Sequence, residues 1–168
     1  MSESFSESVL VFSGLDPSGG AGISADIETI NQFGITTLPI VTVLTAQNTY
    51  EVVQLEVVDC TLIEAQYRAV MTDIDFQVVK IGLLGSTKQI NTIANCLREK
   101  PQLTVVLDPI IRASSDRQLV DENTILAMRE QLFPLATIIT PNQAELALLA
   151  PDLDEPSAVK SLNCPWVL

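Results

Sequence analysis

Histidine is absent from this 168-residue sequence. Its absence excludes a Ser-His-Asp triad, a Cys-His pair and any metal site ligated by imidazole within the sequence. Acid–base, nucleophilic or metal chemistry must therefore rely on carboxylates, backbone amides, lysine, cysteine or a hard metal ion.

Basic residues and cysteines are also scarce. Lys and Arg together number 9 against 21 Asp and Glu, which gives a formal net charge of −12. Because such a charge repels phosphate backbones, we expect no nucleic-acid partner, and an anionic substrate would need local donors or a divalent cation. The three cysteines, Cys60, Cys96 and Cys164, match neither a zinc pattern nor a disulfide framework, which favours a reducing compartment.

Long hydrophobic runs are missing as well. The longest apolar stretch, "LPIVTVL" (38–44), is far too short to span a bilayer, and the polar start "MSESFSES" argues against a signal peptide. We therefore expect a cytoplasmic protein without a membrane partner. The length, the 47% hydrophobic content and the mean hydropathy of +0.32 predict one folded domain over residues 1–168.

Strand and helix patterns alternate along the chain. Apolar runs predict strands at 8–14, 36–46, 76–85, 103–109 and 136–142, with a further strand opening at 164–168. Helical spacing predicts helices at 22–33, 61–72, 86–100 and 121–134, another near "QAELALLA", and a short one after the loop that starts at 149. The segment after the second strand is mixed and fits a short edge strand. This alternation predicts an α/β fold with a mostly parallel sheet, in which ligands bind beyond the carboxyl ends of the strands.

The first predicted strand runs into a glycine-rich loop, "SGLDPSGGAG" (13–22). The loop is not a Walker A element, because no Gly-Lys-Ser/Thr follows, and it does not match G-x-G-x-x-G. Glycines here permit positive φ and close backbone approach, and amides at a helix start can hold an anion or a polar group. A tight strand–helix turn explains the loop equally well, and the loop by itself does not decide between these readings.

Polar residues gather at the other predicted strand ends. Gln47 and Asn48 are amides that can read the edge of a heterocycle, although such residues also occur in ordinary turns. Asp108 ends an apolar strand, where a carboxylate either binds Mg²⁺ or caps the loop. Asn142 and Glu145 have capping-box spacing, and Glu145 is also a second candidate magnesium ligand.

Two further charged residues, Asp26 and Lys80, can be explained by ordinary structural roles. Asp26 near the start of the first helix suits the helix dipole, and it also shares a helix face with Gly22. Lys80 is expected to be a surface lysine rather than a cationic handle of the site.

Five segments taken in order, "SGLDPSGGAGISADIETINQFG", "TVLTAQNT", "KIGLLGS", "VVLDPII" and "TPNQAELALL", resemble the hydroxymethylpyrimidine/phosphomethylpyrimidine kinases of thiamine biosynthesis. The resemblance extends from about Val9 to Leu168 and implies a ribokinase-like, three-layer αβα sandwich. It implies ATP and Mg²⁺ as cofactors, transfer of the γ-phosphoryl group to 4-amino-5-hydroxymethyl-2-methylpyrimidine and then to its monophosphate, and a homodimer at full length.

The resemblance also implies roles for individual residues. It assigns the pyrimidine pocket to Gly14, Ala21, Asp26, Thr45, Gln47, Leu83 and Ile110, the ATP phosphates to Asn142 and Glu145, and Mg²⁺ to Asp108 and Glu145. Within this set, Gln47 is the residue expected to contact the ring.

The sequence departs from the family in three places. Family members read "KIGML" and "AKSGD" where this chain has "KIGLL" (80–84) and "ASSDR" (113–117), and the second change removes a cation and a flexible turn near the phosphates. The carboxyl-terminal "GTGCT"-type loop with the anion hole and the catalytic cysteine has no counterpart here. We therefore expect the amino-terminal portion of such a kinase and assign no catalytic residue. The alternatives are a pyridoxal-type kinase of the same superfamily and a non-catalytic pyrimidine-binding domain.

Overall fold

The computed structural model describes residues 7–113 and 117–168, so most of the "ASSDR" departure lies outside the described residues. Among these residues the strands are β1 Ser8–Leu15, β2 Thr36–Gln47, β3 Val52–Val57, β4 Val78–Ile81, β5 Thr104–Leu107, β6 Ile138–Ile139 and β7 Trp166–Val167. The helices are α1 Gly22–Gln32, α2 Cys60–Asp73, α3 Thr87–Arg98, α4 Glu122–Ala127, α5 Gln143–Leu149 and α6 Glu155–Ser161. Helix α4 continues into a π-helical turn, Met128–Leu132, and a 3₁₀ turn, Phe133–Leu135.

The strands form one seven-stranded sheet in the order β3-β2-β1-β4-β5-β6-β7. Every neighbouring pair is parallel except β2 and β3, so the expected mostly parallel sheet is confirmed and the mixed segment after β2 is an antiparallel edge strand. The chain leaves β1 towards β2 on one side and later runs from β4 to β7 on the other. The order therefore reverses between β1 and β4, which makes their carboxyl ends a topological switch point.

Different helices cover the two faces of the sheet. Right-handed crossovers place α1 on one face and the helices that follow β4 on the other, because the chain moves in opposite directions along the sheet. The burial pattern agrees: Leu10 and Phe12 of β1 pack with Ile63 of α2 and Ile90 of α3, whereas the buried Ile23 of α1 lies outside that core. The expected three-layer arrangement is thus confirmed.

Helix boundaries follow local capping chemistry. The Ser86 side chain accepts a hydrogen bond from the backbone N–H of Gln89 and caps α3, as its sequence position predicts. Gly34 follows Phe33, the C-cap residue of α1, and adopts a φ of +73°, which is the conformation expected of a glycine just beyond the end of a helix.

Three strands are shorter than their apolar runs predict. Strand β4 ends at Ile81 rather than at 85, β5 ends at Leu107, and β6 comprises two residues. In each case the first residue after the strand, Gly82, Asp108 or Thr140, donates one more hydrogen bond to the neighbouring strand, and the residues that follow turn over the carboxyl edge of the sheet. Pro109 and Pro141 favour this departure, because proline has no N–H to donate to a neighbouring strand. These departing segments form the walls of a cavity.

Candidate functional site

A cavity of about 390 Å³ opens at the carboxyl edge of the sheet, around the switch point between β1 and β4. Its volume lies within the range of small-molecule pockets. The sequence-predicted residues that line it are Gly14, Ala21, Thr45, Gln47, Leu83, Asp108, Ile110, Asn142 and Glu145. The lining further includes Asp16 and Arg112, which sequence reasoning did not single out. The topology thus brings residues from five separate strand ends into one cavity.

The glycine-rich loop forms one wall of this cavity with its backbone. Gly22 has a φ of +60°, and a Cβ at this position would lie 2.3 Å from the carbonyl oxygen of Gly14. Leu15 and Gly22 form an isolated bridge that closes the loop on itself. A Cβ on Gly14 would lie 3.1 Å from Cδ2 of Leu83. Gly22 is therefore required by its positive φ and by its close approach to the Gly14 backbone, whereas a side chain at Gly14 would need only a small shift of the Leu83 side chain.

A polar cluster lies at the β1–β2 end of the cavity. The Thr45 hydroxyl lies 2.8 Å from the carbonyl oxygen of Leu15 and 3.0 Å from Oε1 of Gln47. Asp16 is 5% exposed, and its Oδ1 accepts hydrogen bonds from the backbone N–H and the hydroxyl of Ser18, at 2.8 and 2.7 Å. Gln47 thus reaches the cavity as an amide held by its neighbours.

The Asp16 carboxyl is held in its ionised form. Burial is the largest single influence and raises its pKa, but hydrogen bonds from Ser18, from the Gln47 side chain and from the backbone N–H of Ala21 together outweigh it. The pKa of Asp16 therefore lies below its ordinary value. The sequence motifs did not indicate a role for Asp16, because aspartate before proline is common in ordinary turns.

Two carboxylates face the opposite end of the cavity. Burial raises the pKa of Asp108, Lys80 opposes that rise, and the charge of Asp26 adds to it. Burial likewise raises the pKa of Glu145, opposed by the backbone N–H of Asn142 and reinforced by the charge of Asp108. Two carboxylates that repel each other in a half-buried site form an oxygen-rich position that favours a bound cation.

Glu145 also forms the capping box that its spacing predicts. Its Oε2 accepts from the backbone N–H of Asn142 at 3.0 Å, and its own N–H donates to Oδ1 of Asn142 at 2.9 Å. Capping and a role at the cavity are compatible, because a carboxylate has several lone pairs. Within residues 7–113 and 117–168, no group of three or more His, Cys, Asp or Glu side chains is arranged to hold a metal. A cation at Asp108 and Glu145 would therefore need water or phosphate oxygens to complete its shell.

Asp26 and Lys80 correct the sequence-based expectations. Asp26 does not belong to the cavity lining; its Oδ2 pairs with Nζ of Lys80 at 3.0 Å. Lys80 is not a surface lysine, because the two side chains are 20% and 19% exposed. The pair joins α1 to β4, and it lies close enough to Asp108 to affect the pKa of that carboxyl. A contact between residues 54 positions apart gives no signal in local sequence patterns.

Gln89 stabilises the backbone next to the cavity, and local sequence patterns did not predict this role. This fully buried side chain donates to the carbonyl oxygens of Thr42 and Val58, at 2.6 and 2.8 Å, and accepts from the N–H of Gly85 at 2.9 Å. The Thr42 hydroxyl donates to the carbonyl oxygen of Leu83 at 2.5 Å. These bonds fix the segment that follows β4, which includes the lining residue Leu83.

The cysteines remain outside this site. All three are free thiols, and Cys96 is buried with a pKa raised by burial to about 11. Such a thiol is a poor nucleophile, which agrees with the expectation that Cys96 is a small core residue. In the part of the chain that the structure describes, no helix has the length and apolar character needed to cross a membrane.

Sequence comparisons with known proteins indicate the phosphomethylpyrimidine kinase family. The family model described as phosphomethylpyrimidine kinase matches residues 16–163. A hydroxymethylpyrimidine/phosphomethylpyrimidine kinase from Rhizobium meliloti is 40% identical over 140 residues, which cover 83% of this chain and 52% of that protein. The chain thus spans about half the length of the curated relatives that it matches.

Solved structures lead to the same family and to a neighbouring one. A phosphomethylpyrimidine kinase from Clostridium difficile superposes with a TM-score of 0.83 at 32% identity, covering 94% of this chain and 68% of that one. An ADP complex of Bacillus subtilis pyridoxal kinase gives a TM-score of 0.81 at 30% identity, covering 94% of this chain and 60% of that one. Since the family model matches most of the sequence, the chain belongs to the phosphomethylpyrimidine kinase family.

Proposed function

We propose that this chain carries the pyrimidine-binding half of an ATP-dependent kinase that phosphorylates 4-amino-5-hydroxymethyl-2-methylpyrimidine and then its monophosphate in thiamine diphosphate biosynthesis. The observation that carries the proposal is the presence of the Gln47 amide in the lining of the cavity at the switch point, together with the apolar side chains of Leu83 and Ile110. A cavity lined by an amide and by apolar side chains suits a flat heteroaromatic ring that also needs hydrogen bonds.

Phosphoryl transfer needs mainly positioning and neutralisation of phosphate charge. In this proposal the β1–β2 end of the cavity holds the ring, while Asp108, Asn142 and Glu145 lie at the end where the hydroxymethyl oxygen meets the nucleotide phosphates. The cavity lining carries the carboxylates of Asp16, Asp108 and Glu145 and the guanidinium of Arg112. With this excess of negative charge, a polyphosphate requires a divalent cation, so we propose Mg²⁺ held by Asp108 and Glu145.

Each group has a limited task in the proposed reaction. When bound, Mg²⁺ neutralises charge on the phosphates. Asp108 and Glu145 supply anionic oxygens for it, and the Asn142 N–H holds Glu145 in one orientation. We assign no catalytic base among the residues of this sequence. The complete enzyme is proposed to be a cytoplasmic homodimer.

A second candidate is pyridoxal phosphorylation. It is favoured by the likeness to the solved Bacillus subtilis pyridoxal kinase, at 30% identity. A pyridoxal ring has no exocyclic N–H next to its ring nitrogen, whereas an aminopyrimidine presents a ring nitrogen acceptor and an amino donor side by side, which is the pair that a side-chain amide such as Gln47 can bind with two hydrogen bonds. The amide therefore favours the pyrimidine.

Calorimetric titration of the 168-residue chain with the aminopyrimidine and with pyridoxal tests the proposal. We expect the pyrimidine to bind more tightly, and Gln47→Ala to weaken its binding about tenfold or more, because two hydrogen bonds to the ring are lost. The matched control is Gln54→Ala, which removes an exposed glutamine on β3 and should leave the affinity unchanged. Equal affinities in wild type and Gln47→Ala would remove the basis of the proposal.

A product assay with ATP and Mg²⁺ separates the catalytic reading from the non-catalytic one. We expect the 168-residue chain to bind the pyrimidine without transferring phosphate, and the complete enzyme to form both phosphate esters. Tighter binding of pyridoxal, or a complete enzyme that phosphorylates pyridoxal in preference, would establish the second candidate instead.

A further inference from the structure

One wall of the cavity is a hairpin that follows β5. We call its two described arms, residues 110–113 and 117–119, the hairpin wall. Ile110, Ala113 and Leu119 of these arms line the cavity. The hairpin wall contributes no strand to the seven-stranded sheet. Its position relative to the sheet is therefore set by contacts other than the strand ladder.

Backbone hydrogen bonds pair the two arms of the hairpin wall. The N–H of Leu119 donates to the carbonyl oxygen of Ile111, and the N–H of Ala113 donates to that of Arg117, each at 2.9 Å. An isolated two-stranded hairpin is only marginally stable in water. The hairpin wall therefore needs a contact with the rest of the chain to keep one position beside the cavity.

Arg117 supplies such a contact with the edge strand of the sheet. Its Nη1 donates a hydrogen bond to the carbonyl oxygen of Val52 and lies 3.3 Å from that of Val53. These two valines open β3, which lies at the edge of the sheet, where backbone groups on the outer side have no neighbouring strand to pair with. Because the guanidinium is charged, its hydrogen bonds are stronger than those between neutral groups.

The strand that Arg117 contacts is part of the cavity as well. Val52 is 6% exposed, lines the cavity and is the register partner of Gln47 on β2. Arg117 itself does not line the cavity. Its hydrogen bond therefore joins two parts of the lining, the hairpin wall and the strand next to Gln47, through a side chain that lies outside the lining.

We infer that Arg117 is a positioning residue that fastens the hairpin wall to β3 and thereby sets the width of the cavity at the end proposed to hold the ring. A cation beside a cavity for a phosphorylated ligand could instead contact the phosphates. Nη1 of Arg117 is engaged by β3 next to Gln47, however, whereas Asp108 and Glu145 lie at the opposite end. The inference rests on the proposed pyrimidine substrate and deepens it, because it assigns ring affinity to a residue outside the lining.

Calorimetric titration of two matched variants tests the inference. Arg117→Met keeps an unbranched apolar stem but removes the guanidinium. Arg98→Met makes the same charge change on α3, where the exposed Arg98 donates to the side chains of Asn95 and Gln131. We expect Arg117→Met to weaken binding of the aminopyrimidine and of its monophosphate by the same factor, about threefold to tenfold, because solvent screens the bonds of an exposed guanidinium. Arg98→Met should leave both affinities unchanged.

Amide hydrogen exchange of the ligand-free chain measures the hairpin wall without relying on a ligand. In Arg117→Met the amides of Ala113 and Leu119, which pair the two arms, should exchange about threefold to tenfold faster. Amides within β1 and β4 should keep their rates, and Arg98→Met should change none of these rates. Faster exchange throughout the sheet in Arg117→Met would show a general loss of stability instead and would overturn the inference.

The remaining outcomes separate the inference from the proposed function. Unchanged affinity for the aminopyrimidine in Arg117→Met, or unchanged exchange at Ala113 and Leu119, would overturn the inference while leaving the proposed function intact. A loss of affinity at least tenfold larger for the monophosphate than for the aminopyrimidine would make Arg117 a phosphate contact and would also overturn the inference. Binding of neither compound by the folded wild-type chain would overturn the proposed function, and amide exchange would then still decide whether Arg117 fastens the hairpin wall.

Discussion

Gly22→Ala is the substitution that best tests whether the glycine-rich loop is a closely packed wall of the cavity. Gly22 has a φ of +60°, and the added Cβ would lie 2.3 Å from the carbonyl oxygen of Gly14. A backbone oxygen at this distance cannot rotate away as the end of a flexible side chain would. Gly19→Ala is the matched control, since Gly19 has a φ of +79° but no atom within 4 Å of its added Cβ.

The two substitutions share one cost and differ in the other. Placing alanine at positive φ costs about 1 kcal/mol at either position. At Gly22, the collision with the Gly14 carbonyl adds about 2 kcal/mol of overpacking, for a total of about 3 kcal/mol. For a chain of this length, 1 kcal/mol lowers Tm by about 3 °C, so we expect losses of about 3 °C for Gly19→Ala and about 9 °C for Gly22→Ala.

Thermal unfolding and pyrimidine titration of both variants measure the effect. To relieve the collision, the Gly14 carbonyl must move by about 1 Å, and such a displacement of a lining residue weakens ligand binding. We therefore expect weaker pyrimidine binding in Gly22→Ala and unchanged binding in Gly19→Ala. Equal losses of Tm in the two variants, with equal affinities, would refute the reasoning that the loop packs closely against itself at the cavity.

Three further predictions follow from the described contacts. Gln89→Leu should lower the free energy of unfolding in urea by about 3 kcal/mol, because it leaves buried backbone groups unpaired. Gln77→Leu, at an exposed position, should lower it by less than about 0.5 kcal/mol, and similar losses in the two variants would contradict the stabilising role of the Gln89 hydrogen bonds. Lys80→Met should cost about 2 kcal/mol, and adding Asp26→Asn should recover most of it, since the carboxylate is then no longer unpaired; an additive double variant would argue against the ion pair. Burial raises the pKa of Asp108 above 3.8 in the folded state, so ionisation of this carboxyl lowers the stability of the fold as pH rises through and above that value. Asp108→Asn should therefore unfold at a higher temperature than wild type at pH 7, and the difference in Tm should shrink towards pH 4. A difference in Tm that grows towards acid would contradict the raised pKa.

The sequence predicted those parts of the fold that depend on local patterns. The alternation of apolar runs and helical spacing was sufficient for the parallel sheet, and capping chemistry correctly predicted the roles of Ser86 at α3 and of Asn142 with Glu145 at α5. The positive φ of Gly22 was also expected from a glycine-rich strand–helix turn. In each of these cases the determining residues lie within a few positions of one another.

Long-range polar contacts could not be predicted in this way. The pairing of Asp26 with Lys80 and the three backbone bonds of Gln89 join elements that only the folded chain brings together. Asp16 looks like an ordinary turn residue until Gln47 is seen beside it. Strand ends were also too long in the prediction, because an apolar run continues past the point where the backbone leaves the sheet to line the cavity.

A crystal structure of the 168-residue chain with 4-amino-5-hydroxymethyl-2-methylpyrimidine tests the central claim most directly. The cavity is proposed to hold the ring at the β1–β2 end, so the ring nitrogen and the amino group should lie within hydrogen-bonding distance of Nε2 and Oε1 of Gln47, with the hydroxymethyl group directed towards Asp108 and Glu145. A ring bound elsewhere on the chain, or bound in this cavity without contact to Gln47, would contradict the assignment of this site.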